Sequence, residues 1–372
     1  MTQTLLLREI DTRCGRRFGH ATLNAPATLN ALTLAMVDGL APRFAQWADD
    51  PGIVGVVLDA AGDKAFSAGG DVQALRRAVL DDAPGAVPAA VAGFFEREYR
   101  LDHRIHSFPK PVLCWGHGIV MGGGVGLLAG ASHRVVTPRS RVAMPEIAIG
   151  LYPDVGGSWF LNRMPGRVGL FLALTGAPLN AADARFAGLA DVVVAHDDKA
   201  HVLDALATTD WSARPDADAA QLSRLLAKRA LPVASETSPL RRHFDLINVV
   251  IGDDTLDDTD RRLRALQGHD DPWLAAAAAT YAAGSPSSAA LSHAVLRRAR
   301  HLSLAGVFRL EYDLSIACCQ RPDFSEGVRA VLVDKDRTPR WQPATLAEVT
   351  PALVAAHFEP RHSGAHPLAD LR

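Results

Sequence analysis

Apolar and polar positions follow two different periods along the first half of the chain. Short runs rich in β-branched residues predict strands, and apolar residues three or four positions apart predict helices. The predicted strands are 5–10, 18–23, 53–58, 112–115 and 134–137, and the predicted helices are 33–49, 72–80, 94–106 and 125–131. The apolar run 53–58 is typical of a strand that is buried on both faces. Strands and helices that alternate in this way predict stacked βαβ units, and therefore an α/β fold.

The pattern changes in the second half of the chain. Residues 196–304 consist largely of Ala, Leu, Arg and Asp with few β-branched runs, which predicts helices. We therefore expect an α/β core over residues 1–200 and a helical region over residues 201–372. The segment 82–88, with two prolines and a glycine, is expected to be a short exposed insertion between helices. Residues 112–132 are apolar enough to span a membrane, but their seven glycines predict buried strand, turn and helix instead.

Composition and charge narrow the classes of function. The chain has 372 residues, of which 48% are hydrophobic and 22% charged, as in a folded globular protein. Lys and Arg number 39 against 41 Asp and Glu, so the overall charge attracts neither nucleic acid nor an anionic membrane. The four cysteines lack the spacing of a metal site, and the N-terminus lacks the features of a signal or transit peptide. These features predict reduced thiols in a cytoplasmic protein.

Two glycine-rich turns are the first candidates for chemistry. One lies in the segment 64–71 (KAFSAGGD), whose residues 66–71 are predicted as a loop, and the other is 121–125 (MGGGV). Glycines let the backbone approach a ligand closely, and free N–H groups at a helix start favour negative charge. If the two turns converge, they predict an oxyanion hole made of backbone N–H groups. The alternative is tight packing between strand and helix, without a ligand.

Two carboxylates lie in the segment 144–157 (MPEIAIGLYPDVGG), each directly after a proline. The prolines and glycines exclude one continuous helix, so Glu146 and Asp154 are expected on rigid loop segments. The apolar neighbours of Glu146 predict a raised carboxyl pKa, which suits acid/base catalysis near neutral pH. For both carboxylates the alternative is capping of a nearby turn or helix. The other charges of the predicted helix 94–106 predict that Glu98 is solvated or ion-paired.

Four segments together resemble the crotonase (enoyl-CoA hydratase/isomerase) superfamily. They are 24–33 (NAPATLNALT), 64–71, 118–126 (GIVMGGGVG) and the Met-Pro-Glu motif that ends at Glu146, and they occur in the family's order. The resemblance covers residues 5–345. It implies a spiral of ββα repeats followed by a helical C-terminal region, and an acyl-CoA thioester substrate. By position it implies an oxyanion hole from the N–H groups of Gly70 and Gly123, with Ala68 as a further substrate-binding residue.

Within this family the chain resembles the 3-hydroxyisobutyryl-CoA hydrolase branch more closely. The shared segments are 98–99, 122–126, 144–157, 172–176 and 323–336. The resemblance implies that Glu146 and Asp154 are catalytic and that Glu98 contacts the substrate. The hydratase branch carries a glutamate where this chain has Gly126, so one of the two glutamates of a hydration is missing. The expected reaction is hydrolysis of a short 3-hydroxyacyl-CoA from valine breakdown, either by direct attack of Glu146 through an anhydride or by an activated water.

The resemblance also implies partners, and it leaves two other functions open. The expected partner is an acyl-CoA small molecule, without a metal or a separate cofactor, since coenzyme A is part of the substrate. Neither nucleic acid nor a membrane is expected as a partner, and a homo-oligomer is compatible with the family. The helical region 201–372 is expected to complete the acyl pocket. The alternatives are an enoyl-CoA hydratase or isomerase, and a non-catalytic binding protein of the same fold, including an RNA-binding one.

Overall fold

The secondary structure agrees with the predicted alternation of strands and helices. The computed structural model describes residues 3–83, 86–252 and 255–372. The strands are β1 (Leu5–Asp11), β2 (Arg17–Leu23), β3 (Ile53–Ala60), β4 (Ala65–Ser67), β5 (Val112–Gly116), β6 (Ile119–Met121), β7 (His133–Val136), β8 (Arg141–Ala143) and β9 (Val192–Val193). The predicted strands of the first half are therefore confirmed.

The helices confirm the predicted helical stretches, including the helical character of residues 196–304. They are α1 (Leu34–Asp49), α2 (Val72–Asp81), α3 (Ala89–His106), α4 (Gly123–Gly130), α5 (Gly157–Phe160), α6 (Val168–Thr175), α7 (Ala181–Phe186), α8 (Lys199–Thr208), α9 (Pro215–Ala227), α10 (Pro239–Arg242), α11 (Phe244–Ile251), α12 (Leu256–Ala265), α13 (Pro272–Ala283), α14 (Pro286–Ala299), α15 (Leu304–Cys319), α16 (Pro322–Val328) and α17 (Pro351–His357).

Six strands form one sheet in the order β1-β2-β3-β5-β7-β9. β1 and β2 pair antiparallel, and every following neighbour pairs parallel. All eight residues of β3 are buried, as its continuous apolar run predicts. The core against this sheet includes Phe18, Trp115 and Val135 from the strands, Val202 from α8 and Leu222 from α9. Helices α8 and α9 therefore cover one face of the sheet.

A second sheet of three short strands, β4, β6 and β8, supports the glycine turns. β4 and β6 pair parallel, so their carboxyl ends lie on the same side, and a glycine turn follows each of them. The loop predicted over 66–71 is wrong in its first part, because Ala65–Ser67 is β4, and neither β6 nor β8 was predicted. Strands of three residues are too short for a period of two to be recognised.

The chain forms two compact units, each built from three separate stretches. The first unit comprises Met1–Gly70, Arg100–Val142 and Leu179–Arg241, and it contains the six-stranded sheet. The second comprises Asp71–Tyr99, Ala143–Pro178 and Arg242–Arg372, and it is largely helical. Each unit contains residues from before and from after position 200, so the two units do not coincide with the expected division at that residue. The functional division into 1–200 and 201–372 stays a prediction.

The apolar segment 112–132 divides into β5, β6 and α4 with turns between them, as its glycines predict. Across residues 3–83, 86–252 and 255–372, no helix is both long and apolar enough to cross a membrane. Of the expected insertion 82–88, residues 84 and 85 lie outside the described residues. On either side of this insertion, α2 ends at Asp81 and α3 begins at Ala89.

Candidate active site

The two glycine turns converge within the first unit. Gly69 has a φ of +100°, and a Cβ at this position would lie 3.2 Å from the carbonyl oxygen of Met121 and 3.6 Å from the Gly123 nitrogen. At Gly124 a Cβ would lie 2.8 Å from the carbonyl oxygen of Ser67, which is closer than van der Waals contact allows. The two backbones therefore approach each other directly, and only glycine fits between them.

The turns present two unused backbone N–H groups. Within the part of the chain that the structure describes, the N–H groups of Gly70 and Gly123 donate to no carbonyl or side chain. Gly123 is the first residue of α4, where the helix dipole adds to the attraction for an anion. The N–H of Ala68, in contrast, donates to the carbonyl oxygen of Leu29 at 3.0 Å. Gly70 and Gly123 thus have the donors that an oxyanion hole needs, whereas Ala68 offers only its methyl group and carbonyl oxygen.

The three carboxylates that the resemblance singles out are buried in the second unit. Glu98, Glu146 and Asp154 have exposed fractions of 3%, 5% and 8%. Glu98 Oε1 and Glu146 Oε2 have no hydrogen-bond partner among the described residues. Asp154 Oδ2 accepts a hydrogen bond from the Tyr99 hydroxyl at 2.7 Å. The carboxylates that the resemblance singles out thus belong to one compact unit, and the glycine turns belong to the other.

The burial of Glu98 overturns the interpretation drawn from its charged neighbours. Glu98 follows Phe94 and Phe95 by four and three residues, and both phenylalanines are buried. Residues at this spacing share one face of a helix, so Glu98 lies on the inward face of α3. The prediction that Glu98 is solvated or ion-paired is contradicted by its burial and by its Oε1 atom, which is unpaired among the described residues. The charge pattern of a helix does not by itself reveal which charge faces inward.

Burial and repulsion between charges raise the pKa values of these carboxyl groups. Burial raises the pKa of Glu146 well above its ordinary value, and the negative charge of Asp154 raises it further. The same two causes, in the same order, raise the pKa of Glu98. Burial also raises the pKa of Asp154, to about 6, although the hydrogen bond from Tyr99 acts in the opposite direction. Near neutral pH Asp154 is therefore ionised, and Glu98 and Glu146 have the proton affinity of acid/base groups.

The backbone around Glu146 is fixed by close contacts. Glu146 begins a short 3-10 helix, Glu146–Ile149, in which the carbonyl oxygen of Ile147 accepts the N–H of Ser285 at 3.0 Å. Gly150 follows with a φ of +70°, and a Cβ there would lie 2.4 Å from the backbone of Asp323 in α16. These contacts form the rigid segment that the prolines and glycines predict. The N-cap of this helix is Pro145, so Glu146 does not occupy the capping position.

Asp154 does not cap the helix that follows it. The N-cap of α5 is Gly156, and no side chain is hydrogen-bonded from that position. The Asp154 carboxylate is directed to Tyr99, while its backbone carbonyl oxygen accepts the N–H of Gly157 at 2.7 Å. The capping alternative is therefore wrong for Asp154. Its carboxylate is held by a buried hydroxyl and remains available for a further contact.

A chain of buried hydroxyl groups continues from Asp154. The Tyr99 oxygen lies 2.7 Å from Ser315 Oγ, which in turn lies 2.9 Å from the Tyr152 oxygen. Tyr152 donates its O–H to the backbone carbonyl oxygen of Glu311 at 2.8 Å. No role is predicted from the sequence for Glu311 or Ser315, although both lie within the second unit and bear on the surroundings of Asp154.

One group of side chains in the second unit has the character of metal ligands. Asp313, His362 and His366 each bring a ligand atom within 4.8 Å of the others. However, Nδ1 of His366 accepts the N–H of Leu368 at 2.9 Å, which places the ring proton on Nε2, 3.2 Å from the carbonyl oxygen of Arg309. A metal at Nε2 would displace this proton and break the hydrogen bond from Leu368. We therefore assign no metal to this group.

Comparisons with known proteins identify the family. A sequence profile described as enoyl-CoA hydratase/isomerase matches residues 18–358. The chain belongs to the enoyl-CoA hydratase/isomerase family. A Gallus gallus relative named 3-hydroxyisobutyryl-CoA hydrolase, mitochondrial, is 38% identical over 344 residues, which cover 92% of this chain and 86% of the relative. The Homo sapiens protein of that name is 37% identical over 341 residues, with the same coverage of both chains.

Two solved structures share the fold of this family member. A carnitinyl-CoA dehydratase from Mycobacterium thermoresistibile is 39% identical with a TM-score of 0.84, over 96% of this chain and 97% of that one. An enoyl-CoA hydratase from Rhodobacter sphaeroides 2.4.1 is 37% identical with a TM-score of 0.80, over 96% and 98% of the two chains. The crotonase-type α/β fold with a helical C-terminal region is therefore confirmed. The curated relatives carry a hydrolase name, whereas the two structures carry hydratase and dehydratase names.

Proposed function

We propose that the protein is a coenzyme A thioester hydrolase that acts on a short 3-hydroxyacyl-CoA, with 3-hydroxyisobutyryl-CoA as the first candidate. The observation that carries the proposal is the set of three buried carboxylates, Glu98, Glu146 and Asp154, in a chain with glycine at position 126. The hydrolase names of the curated relatives support the same reaction. The proposed reaction needs neither a metal nor a separate cofactor, which stays a prediction.

In this reaction the N–H groups of Gly70 and Gly123 receive the thioester oxygen as it becomes negative. Neither N–H has an internal partner in the described chain, so no hydrogen bond has to break before the substrate binds. Donors that are already in place stabilise a developing oxyanion strongly, by about 2.7–4 kcal/mol each. A hydrolase of this kind therefore loses most of its rate when one of the two donors is displaced.

Glu146 acts on the carbonyl carbon or on a water molecule. In the first route its carboxylate attacks the thioester carbon, the C–S bond breaks, and water then hydrolyses the resulting anhydride. In the second route Glu146 takes a proton from a water that attacks the same carbon. The Oε2 atom of Glu146 has no hydrogen-bond partner among the described residues and is available to either route. Label in the Glu146 carboxyl group after a single turnover in heavy-oxygen water would identify the anhydride route with attack of water at the glutamyl carbon, which the second route cannot give.

Asp154 and Glu98 bind the rest of the acyl group. Asp154 is ionised near neutral pH and accepts a hydrogen bond from the substrate hydroxyl, or assists the departure of coenzyme A. Burial and the charge of Asp154 raise the pKa of Glu98, and its Oε1 atom, which has no partner among the described residues, is available to contact the acyl end. A substrate without the hydroxyl leaves the Asp154 carboxylate without this partner, and is expected to react more slowly.

A hydratase or dehydratase is the second candidate, because the two similar solved structures carry those names. Hydration of an enoyl-CoA in this family uses two glutamates, and the resemblance places one of them at Gly126 of this chain. Gly126 lies buried within α4 and has no side chain that would hold a water. This position therefore favours hydrolysis over hydration.

The deciding experiment follows the release of free thiol from four esters. They are 3-hydroxyisobutyryl-CoA, 3-hydroxypropionyl-CoA, acetyl-CoA and crotonyl-CoA. We expect thiol release that prefers the two hydroxyacyl esters and that falls at least about a hundredfold in Glu146→Gln. Glu359→Gln, on the exposed surface, is the matched control and should retain full activity. Loss of the enoyl absorbance of crotonyl-CoA without thiol release would instead indicate a hydratase, and no reaction with any ester would favour the non-catalytic alternative.

A further inference from the structure

Glu311 lies in the middle of α15 and is completely buried, yet the proposed reaction does not use it. Its Oε2 atom accepts the N–H of Gly156 at 2.7 Å. Its Oε1 atom accepts the N–H of Ser158 at 2.9 Å and the O–H of the same serine at 2.5 Å. Three donors from one turn thus converge on a single carboxylate. Removing the carboxylate would leave buried N–H groups without partners, which proteins avoid.

The turn that Glu311 holds has an unfavourable backbone. Val155 has a φ of +52° and Gly156 a φ of +83°, and both directly follow Asp154. A positive φ is rare for a β-branched residue, and such a conformation persists only where the surrounding contacts enforce it. The hydrogen bonds to Glu311 provide this enforcement, because the N-cap Gly156 has no side chain that would accept the free N–H groups of α5.

The same helix also holds the side chain of Asp154. Ser315 follows Glu311 by four residues, so the two side chains lie one turn apart on the same face of α15. Ser315 is hydrogen-bonded to Tyr99, and Tyr99 donates its O–H to Asp154. Helix α15 therefore acts on Asp154 in two ways, through the bonds of Glu311 to the turn that follows Asp154 and through Tyr99 at the Asp154 carboxylate.

We infer that Glu311 is a positioning residue for Asp154: it holds the turn 154–158 so that the Asp154 carboxylate keeps its place and direction, without contacting the substrate itself. The inference rests on the proposed function to the extent that turnover reports the position of Asp154. A displacement of about 1 Å at a catalytic group lowers a rate by about a hundredfold, so a positioning residue affects kcat more than KM.

Glu311→Gln is the first variant, and it is tested in the full chain. Glutamine keeps the size of the side chain but turns one acceptor oxygen into an NH₂ group that faces an N–H donor. We expect kcat for thiol release to fall by at least about tenfold with a smaller change in KM. We also expect the limb of the pH–rate profile that belongs to Asp154 to move. Asp313→Asn, a half-buried carboxylate on the same helix that accepts the N–H of Arg361, is the control and should change neither.

A purely structural role would give a different result. In that case Glu311→Gln lowers the unfolding temperature but leaves kcat and the pH–rate limb unchanged, which would overturn the inference. Ser158→Ala removes only the O–H donor and is the milder variant, to be used if Glu311→Gln does not fold. It should lower kcat by less and move the same limb in the same direction.

The test also separates this inference from the proposed function. If the wild-type chain releases thiol from none of the four esters, the proposed function fails. In that case the position of Asp154 is monitored without substrate, by measuring the stability of the fold against pH. The readout is the pH range in which ionisation of Asp154 lowers that stability. A shift of that range in Ser158→Ala, which removes a hydrogen bond to Glu311 but no charge, supports the positioning role, and an unchanged range contradicts it.

Discussion

Asp154→Asn is predicted to make the fold more stable while it removes turnover. Burial raises the pKa of Asp154 from an ordinary 3.8 to about 6. Because the folded state then holds this proton more tightly than the unfolded state, stability falls as the pH rises from about 4 to about 6. Each pKa unit corresponds to about 1.4 kcal/mol, so folding with an ionised Asp154 costs about 3 kcal/mol. Asparagine avoids this cost and still accepts the hydrogen bond from Tyr99.

The measurement is the free energy of unfolding in urea between about pH 4 and about pH 8. We expect Asp154→Asn to be more stable than the wild type by about 1–3 kcal/mol above about pH 6, with the difference disappearing towards pH 4. Asp11→Asn, at the exposed end of β1, is the matched control and should differ little at any pH. A variant that is less stable by the same amount at every pH would refute the reasoning, because the ionised carboxylate would then not be the source of the cost.

The remaining predictions concern the scaffold. Burial raises the pKa of Asp59, but its contacts with His20 and Lys199 outweigh this and lower it to about 2, so stability should fall as the pH drops from about 4 to about 2. In urea unfolding at neutral pH, the free energy of unfolding of Asp59→Asn should be lower than that of the wild type by about 2–3 kcal/mol. The fall in stability between about pH 4 and about pH 2 should be smaller in this variant. Gly124→Ala places a methyl group 2.8 Å from the carbonyl oxygen of Ser67 in β4, so the two glycine turns have to move apart. The rate of thiol release should therefore fall strongly, with only a small decrease in the unfolding temperature. Gly150→Ala, at a φ of +70° and 2.4 Å from the backbone of α16, should lower the unfolding temperature and activity together.

Much of the fold follows from local patterns. The continuous apolar run of β3 predicts a strand that is buried on both faces, and all of its residues are buried. Asp71 caps α2 by accepting the N–H of Ala74 at 3.0 Å, as its position directly before an apolar helix indicates. The glycine turns are equally visible in the sequence, because glycine is what a close approach of two backbones requires. The structure shows that the two turns converge, and that they bind an oxyanion stays a prediction.

The surroundings of Asp154 could not be predicted in the same way. Glu311 and Gly156 are 155 residues apart in the sequence, and a helical pattern shows which side chains share a face but not what that face meets. A signal was nonetheless present. Glu311 follows the buried Val307 and Phe308 by four and three residues, so an acidic residue lies on the apolar face of α15. Such a residue has to find donors when it is buried, and this one finds them in the turn after Asp154.

The hydroxyl chain behind Asp154 has acceptors at both of its ends. Tyr99 donates to the Asp154 carboxylate, and Tyr152 donates to the carbonyl oxygen of Glu311, with Ser315 between them. A proton moves along such a chain only if the last member supplies or releases one, and a backbone carbonyl oxygen does neither. The chain therefore polarises Asp154 but conducts no protons. Every proton that Asp154 gains or loses must therefore travel by a route other than this chain, and the hydroxyl protons of the two tyrosines should exchange with solvent only when this part of the fold opens.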